Sequence, residues 1–402
     1  MRLGERIFRR VFQGAFRAAL PLLPYREPEI LKEVKMIPRL LQKKRISRVL
    51  LVTDPGVRSL GLTYRLERGL REAGVRCAVY DKVVANPTII NVEEARKLYL
   101  KSKAQAIIAF GGGSVMDCAK ITGARVVKPK QPVYKMKGLL KIWRKLPLLI
   151  AVPTTAGTGS ETTLTAVITD AGTKHKYPIN DFNLIPHYAV LDYHVTLGLP
   201  RQITATTGMD ALTHAVEAYI GRSTNAFTRK MAEDAVKLIY ENLKKAYDDG
   251  QNKKARSNML EAAYCAGIAF SRSYVGYVHA VAHSLGGQYG VPHGLANAVL
   301  LPHFLEEYGT ACQRKLAKLA RFAGMVPRHT SDYRAAAAFI QWVKEMNAYM
   351  GIPEKIKEIK LADIPIMSQH AAAEGNPLYP VPVLMDQGEL AEMYERVMER
   401  SE

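Results

Sequence analysis

Cysteine is scarce: four in 402 residues, Cys77, Cys118, Cys265 and Cys312, none in CxxC spacing. That argues against a thiolate metal site or a disulfide framework and fits a reducing cytoplasm. Long apolar runs are absent too; no stretch reaches the ~18–20 residues needed to span a bilayer. No internal repeat or low-complexity segment stands out. Acidic residues are outnumbered, 37 against 57 Lys and Arg, for a formal charge of +20. What remains is an ordinary globular balance, 48% hydrophobic and 23% charged, in a chain too long for one core.

The positive charge is concentrated. Residues 1–46 hold twelve Lys and Arg against four Glu, and Lys120 to Lys145 holds nine basic residues and no acidic one. Such a surface attracts nucleic acid or an anionic membrane. A solvated basic face is the plainer reading, and with no nucleic-acid motif present no nucleic-acid partner is expected. In residues 1–24, Phe8, Phe12 and Phe16 recur every four residues beside Leu3, Ile7 and Val11, with Arg2, Arg6, Arg9, Arg10 and Arg17 interspersed. This is the pattern of a short basic amphipathic helix stopped by Pro21 and Pro24. It is expected to pack on its own protein or dimer mate, or to lie on a membrane surface or partner groove. It is too interrupted by Arg for a secretory signal.

From residue 47 strands and helices alternate: strands over 47–54, 75–81 and 187–192, strands running into small-residue turns over 104–114 and 147–161, and helices over 59–74 and 91–103, the latter with Asn91 as N-cap. Alternation predicts a parallel sheet with helices on its faces. Beyond about Leu197 to Pro200 the pattern is helical. The expected organisation is a basic extension (1–46), an α/β domain (47–198) and an all-α domain (199–402).

"GGGSVMDCAK" (111–120) follows a buried strand and opens a helix. Gly111, Gly112 and Gly113 let the backbone approach a pyrophosphate, and the helix N-terminus at Ser114 favours its charge. "PTTAGTGSE" (153–161) repeats the arrangement, with Thr154, Thr155 and Thr158 as donors. Turns leaving neighbouring parallel strands share one sheet edge, where α/β folds bind ligands. Asp54 ends the first strand. A carboxylate there accepts from a ribose hydroxyl and repels a 2′-phosphate, favouring NAD over NADP; a plain turn before Pro55 and Gly56 is the alternative.

"HAVAHSLGGQYGVPH" (279–293) packs three of the ten histidines into fifteen residues. Residues 273–287 read as a helix ending at Gly286 and Gly287, so His279 and His283 share a face; His293 follows Pro292 in a loop. Upstream, "GMDALTHAVEAYI" (208–220) sets Asp210 and His214 four apart. One carboxylate and these imidazoles form a ligand inventory for Fe2+ or Zn2+. A metal takes at most four of the five groups, so one is spare.

Together, "GGGSVMDCAK", "PTTAGTGSE", "GMDALTHAVEAY" and "VHAVAHSLGGQYGVPHGLANAVLLP", in this order and spacing, resemble the iron-containing alcohol dehydrogenase family. The resemblance covers about residues 47–385, including "ADIP" (362–365) and "GNP" (375–377). It implies a parallel-sheet dinucleotide-binding domain joined to a helical metal-binding domain, a dehydroquinate synthase-like fold with the active site in the cleft between. It implies Asp210, His214, His279 and His293 as metal ligands and His283 as a non-ligand histidine near nicotinamide and substrate. It also places Asp117, Asn86 and Lys176 near the cofactor, and Thr165, Val167 and Phe270 at the substrate pocket. The implied activity is metal-dependent, NAD-linked hydride transfer between a small alcohol and its aldehyde, by a cytoplasmic homodimer. A glycerol-dehydrogenase-like polyol oxidoreductase and a dehydrogenase recruited to a membrane or assembly by residues 1–24 are the alternatives. One expected departure is that residues 1–46 lack the family's first short strand.

Overall fold

A computed structural model describes residues 1–172 and 175–399. They form two compact units, one of Pro24–Leu199 and one of Met1–Leu23 with Pro200–Glu402. Helix α1 (Leu3–Ala19) opens the chain and belongs to the second.

The α/β unit holds helices α2 (Ile37–Lys43), α3 (Pro55–Ser59), α4 (Tyr64–Glu72), α5 (Ile89–Lys101) and α6 (Gly113–Val127). Its strands are β1 (Glu29–Leu31), β2 (Arg48–Val52), β3 (Arg76–Tyr80), β4 (Ala106–Gly111), β5 (Gly138–Leu139), β6 (Leu148–Pro153), β7 (Thr165–Asp170), β8 (His175–Asn180) and β9 (Tyr188–Val190). Six of them make one sheet in the order β1-β9-β6-β4-β2-β3, every neighbouring pair parallel. Alternate residues feed two cores. Leu50, Val52, Ile107 and Ala109 pack with Val92, Ala95 and Val115 of α5 and α6. Val49, Leu51, Ile108 and Phe110 pack with Ile37, Leu41, Leu66 and Leu70 of α2 and α4. Burial on both faces is why these strands read as continuous apolar runs.

Three expectations are corrected here. The first short strand is present: Glu29–Leu31 pairs in parallel with Tyr188–Val190, though three residues carry too little alternation to be read. Thr88, not Asn91, caps α5; Asn91 is its capping-box partner at the third helical position. The predicted helix 59–74 is shorter: α3 ends at Ser59, a turn follows, and α4 begins only at Tyr64, with Gly74 closing it at φ 71°. A second, smaller sheet, β5-β8-β7, adds the antiparallel pair β7 and β8.

The helical unit adds α7 (Arg201–Ile220), α8 (Ala226–Asp248), α9 (Lys253–Ser273), α10 (Tyr277–Tyr289), α11 (His293–Tyr308), α12 (Thr310–Ala323), α13 (Asp332–Tyr349), α14 (Ile364–Gly375) and α15 (Gln387–Val397). α7 is buried almost all round, as a central helix must be to lack an apolar stripe. It packs on α8, α9 and α11, and α10 packs on α11 and α14. α10 starts four residues later than the sequence suggests and runs through Gly286 and Gly287, because the left-handed residue that ends it is Gly290, at φ 72°.

Candidate functional site

Asp210 and His214 lie one turn apart on the same face of α7, and both are buried. His279 lies in α10, and His293 is the first residue of α11. Gly294 allows the approach of α11 to α7: a Cβ there would stand 2.4 Å from the Thr206 carbonyl oxygen. One ligand atom from each of Asp210, His214, His279 and His293 then falls within 4.8 Å of the others. His293 Nε2 is 3.6 Å and His279 Nε2 3.9 Å from Asp210 Oδ1. A carboxylate oxygen with three imidazole nitrogens, largely buried and free of thiolate, is a donor set that fits Fe2+ or Zn2+.

His283 stands outside this set. Its ring stacks on His293 with centroids 5.1 Å apart, and its Nδ1 lies 2.7 Å from Glu374 Oε1 at the end of α14. The Tyr379 hydroxyl donates to the same oxygen at 2.7 Å. Burial, with Glu374 beside it, raises the Tyr379 pKa well above the usual phenol value and keeps it a donor. Phe270 stacks on His214 at 4.1 Å between centroids.

Four residues here were not singled out from the sequence. Glu217 Oε2 is 2.5 Å from His279 Nδ1, and its Oε1 accepts from the Val278 N–H at 2.9 Å. Burial raises the pKa of the Glu217 carboxyl, while the backbone N–H groups of Gly276, Val278 and His279 oppose the shift and favour the carboxylate. An imidazole that binds a cation through Nε2 keeps its proton on Nδ1, where Glu217 receives it. The signal was available: Glu217 follows Asp210 by seven residues and shares its helix face. Asn297, one turn after His293, reaches Asp210 Oδ1 at 2.7 Å and the Nε2 atoms of His279 and His293 at 3.2 Å. Glu374 and Tyr379 carried no local signal.

In the α/β unit the two small-residue turns meet. β4 and β6 pair with Gly111 opposite Pro153, so both turns leave the same sheet edge. A Cβ on Gly113 would stand 2.6 Å from Thr158, and one on Gly112 would stand 3.4 Å from Thr155. The start of α6, with Ser114, therefore sits beside these hydroxyls, while buried Thr154 donates its N–H to the Gly111 carbonyl at 3.1 Å. Lys176 donates to Asn86 Oδ1 at 2.8 Å, bringing those two residues together. Asp54 caps α3, its Oδ1 accepting from the Val57 N–H at 2.9 Å. Asp117 turns inward: its carboxylate accepts from Ser160 Oγ at 2.8 Å and from the Val167 N–H at 3.0 Å. Thr165 donates to Asn180 at 2.6 Å.

Two family models match the chain. One, described as iron-containing alcohol dehydrogenase, matches residues 31–193; the other, described as Fe-containing alcohol dehydrogenase family, C-terminal, matches residues 204–398. 1,3-Propanediol dehydrogenase of Citrobacter freundii is 40% identical over 351 residues, 86% of this chain and 90% of that one. NAD-dependent methanol dehydrogenase of Bacillus methanolicus is 34% identical over 340 residues, 84% and 89% of the two chains. The solved structure of an alcohol dehydrogenase from Oenococcus oeni superposes with a TM-score of 0.87 at 34% identity, covering 93% of this chain and 100% of that chain.

Proposed function

The chain belongs to the iron-containing alcohol dehydrogenase family, and from that premise we propose that it interconverts a small alcohol and its aldehyde with NAD and a divalent metal, Fe2+ before Zn2+. The observation that carries the reading is the convergence of Asp210, His214, His279 and His293, with His283 beside them and outside the set. When bound, the cation supplies Lewis acidity at the substrate oxygen and the nicotinamide carries the hydride.

The chain's own residues do the rest. Asp210 and the three imidazoles hold the cation, with Glu217 fixing the tautomer of His279. His283 is the proton relay. Glu374 takes its Nδ1, so Nε2 is the nitrogen that gives or receives the substrate proton. Tyr379 anchors the Glu374 oxygen that does this. The α6 N-terminus, with Gly111, Gly112, Gly113, Ser114, Thr154, Thr155 and Thr158, is assigned to the pyrophosphate. Lys176 and Asn86 are assigned to the cofactor, as is the second carboxylate oxygen of Asp54, on a ribose hydroxyl. Asp117 acts through Ser160 and Val167, as a support for the phosphate turn. Thr165, Val167 and Phe270 are assigned to the substrate pocket. A homodimer in a reducing cytoplasm completes the proposal; the cysteines are free thiols.

The test is NADH oxidation with a panel of short aldehydes, using protein loaded anaerobically with Fe2+ or Zn2+. Turnover that needs the metal, and is lost in His279→Ala, is the expected result. No turnover with any aldehyde, despite bound metal and NADH, would contradict it.

A further inference from the structure

Helix α1 is docked the wrong way round for a helix whose only neighbour is its own protein. The side that meets the helical unit carries Arg10 and Gln13, with Phe16 alone of the large apolar residues packed there, edge-on to Tyr274 at 5.2 Å between centroids. Gln13, 5% exposed, donates to the carbonyls of Tyr379 at 2.7 Å and Pro377 at 3.2 Å. Arg10 donates to the carbonyls of Val381 and Pro382, each at 2.8 Å. The chain's amino group pairs with Asp386 at 2.6 Å. The apolar side is left in water: Leu3, Ile7 and Val11 are 75%, 56% and 65% exposed, with Phe8 at 62% and Phe12 at 36% beside them. Amphipathic helices of globular proteins place such a stripe on the core, and a contiguous apolar face left in solvent marks an interaction surface.

Charge says what kind. Beside the end of α1 stands a cluster of cations: Lys315 donates to the carbonyls of Ile220 and Gly221 at 2.9 and 2.6 Å, next to Arg222, and burial first, then Arg229, Arg17 and Arg222, lowers its pKa to about 8. Arg222 also acts on Arg10. Among the described residues no ion pair with an acidic side chain is formed by Arg17, Arg222 or Arg229, all three exposed. Arg6, Ile7, Arg10 and Val11 line a shallow depression that mixes guanidinium with aliphatic surface. The one acidic residue of α1, Glu5, is taken by Arg9.

We propose that the outward face of α1, with Arg17, Arg222 and Arg229 at its end, docks this protein on the surface of an anionic phospholipid bilayer. Apolar side chains of α1 enter the headgroup boundary and the arginines meet lipid phosphates. The helix is clamped along its polar side, so a partner groove that wraps a helix is shut out while a flat surface is not. A second copy meeting this face brings like charges together, which disfavours it. No described helix is long and apolar enough to cross a membrane, so the contact is peripheral. The inference is independent of the catalytic reading.

The test is sedimentation of the full chain with vesicles of phosphatidylcholine alone or with phosphatidylglycerol. Deleting residues 1–24 is a poor variant, because Gln13 and Arg10 hold the 377–382 segment that carries Tyr379. Surface variants avoid this. Wild type is expected to bind only the phosphatidylglycerol vesicles, and less at high salt. Ile7→Ser/Val11→Ser should weaken binding at least about tenfold. Arg17→Gln/Arg222→Gln/Arg229→Gln should weaken it by roughly a hundredfold, about fivefold per arginine. NADH turnover in solution should be unchanged in both. Wild type that ignores the anionic vesicles, or variants that bind them as well as wild type, would overturn the proposal. So would a halved molar mass in Ile7→Ser/Val11→Ser without vesicle binding by wild type, which would assign the face to a second copy.

Discussion

Glu217 decides how His279 is presented. It is buried, accepts from the Val278 N–H and meets His279 Nδ1. Glu217→Gln keeps an oxygen for Val278 but removes the carboxylate that holds the imidazole proton. The expected outcome is about tenfold weaker Fe2+ or Zn2+ binding with unchanged helical signal; a metal titration followed by circular dichroism checks both. At this scale the sequence was informative where chemistry is local. Asp210 with His214, and His279 with His283, are one helical turn apart, and that spacing alone says they share a face. Glu374 is 91 residues from His283, so nothing along the chain ties them. Glu217 was legible in principle, but a glutamate in a helix ordinarily faces water, and only the burial of α7 on every side reverses that.

Among elements, the central strands were readable because burial on both faces leaves β4 and β6 nearly free of polar residues. The pair β7 and β8 was not; its Thr, Asp, Lys and Asn content looks like loop. Its place is fixed from α6 by Lys120, which opens the basic run expected to form a solvated face; Lys120 and Arg125 are instead buried. Lys120 is fully buried, and its Nζ donates to the Thr163 carbonyl and hydroxyl at 3.0 Å each and to the Thr165 carbonyl at 2.8 Å. Its charge also offsets the buried carboxyls of Asp117 and Glu161. Lys120→Met removes the donor and leaves those carboxyls uncompensated. It should destabilise the α/β unit by about 3 kcal/mol, read from the denaturant midpoint of its unfolding. α1 shows the opposite limit of legibility. Its amphipathic pattern was plain, but pattern alone does not say which side meets the protein.

For the whole molecule, the excess of positive charge predicts that acid adds repulsion, and one group sharpens the effect. His187 Nδ1 accepts from the Leu149 N–H at 3.1 Å, a bond only the neutral ring can make. Burial, with Arg26 and Lys44 nearby, lowers its pKa to about 4 from 6.5. Between those values the unfolded chain binds more protons than the folded one. The stability His187 contributes is therefore complete above pH 6.5 and is lost as pH falls towards 4. Because the ring is partly exposed, the loss is at most about 2 kcal/mol. Denaturant melts across this range should show it, and His187→Gln, which keeps an acceptor without a titrating ring, should flatten that part of the curve.

The central claim is a division of labour among three histidines: His279 and His293 hold the cation with Asp210 and His214, and His283 moves the proton. The most direct test is metal content measured beside turnover in His283→Ala and His279→Ala. The account predicts that His283→Ala keeps wild-type metal and loses about a hundredfold or more in kcat, while His279→Ala loses the metal. Loss of metal in His283→Ala, or full turnover without that imidazole, would contradict it.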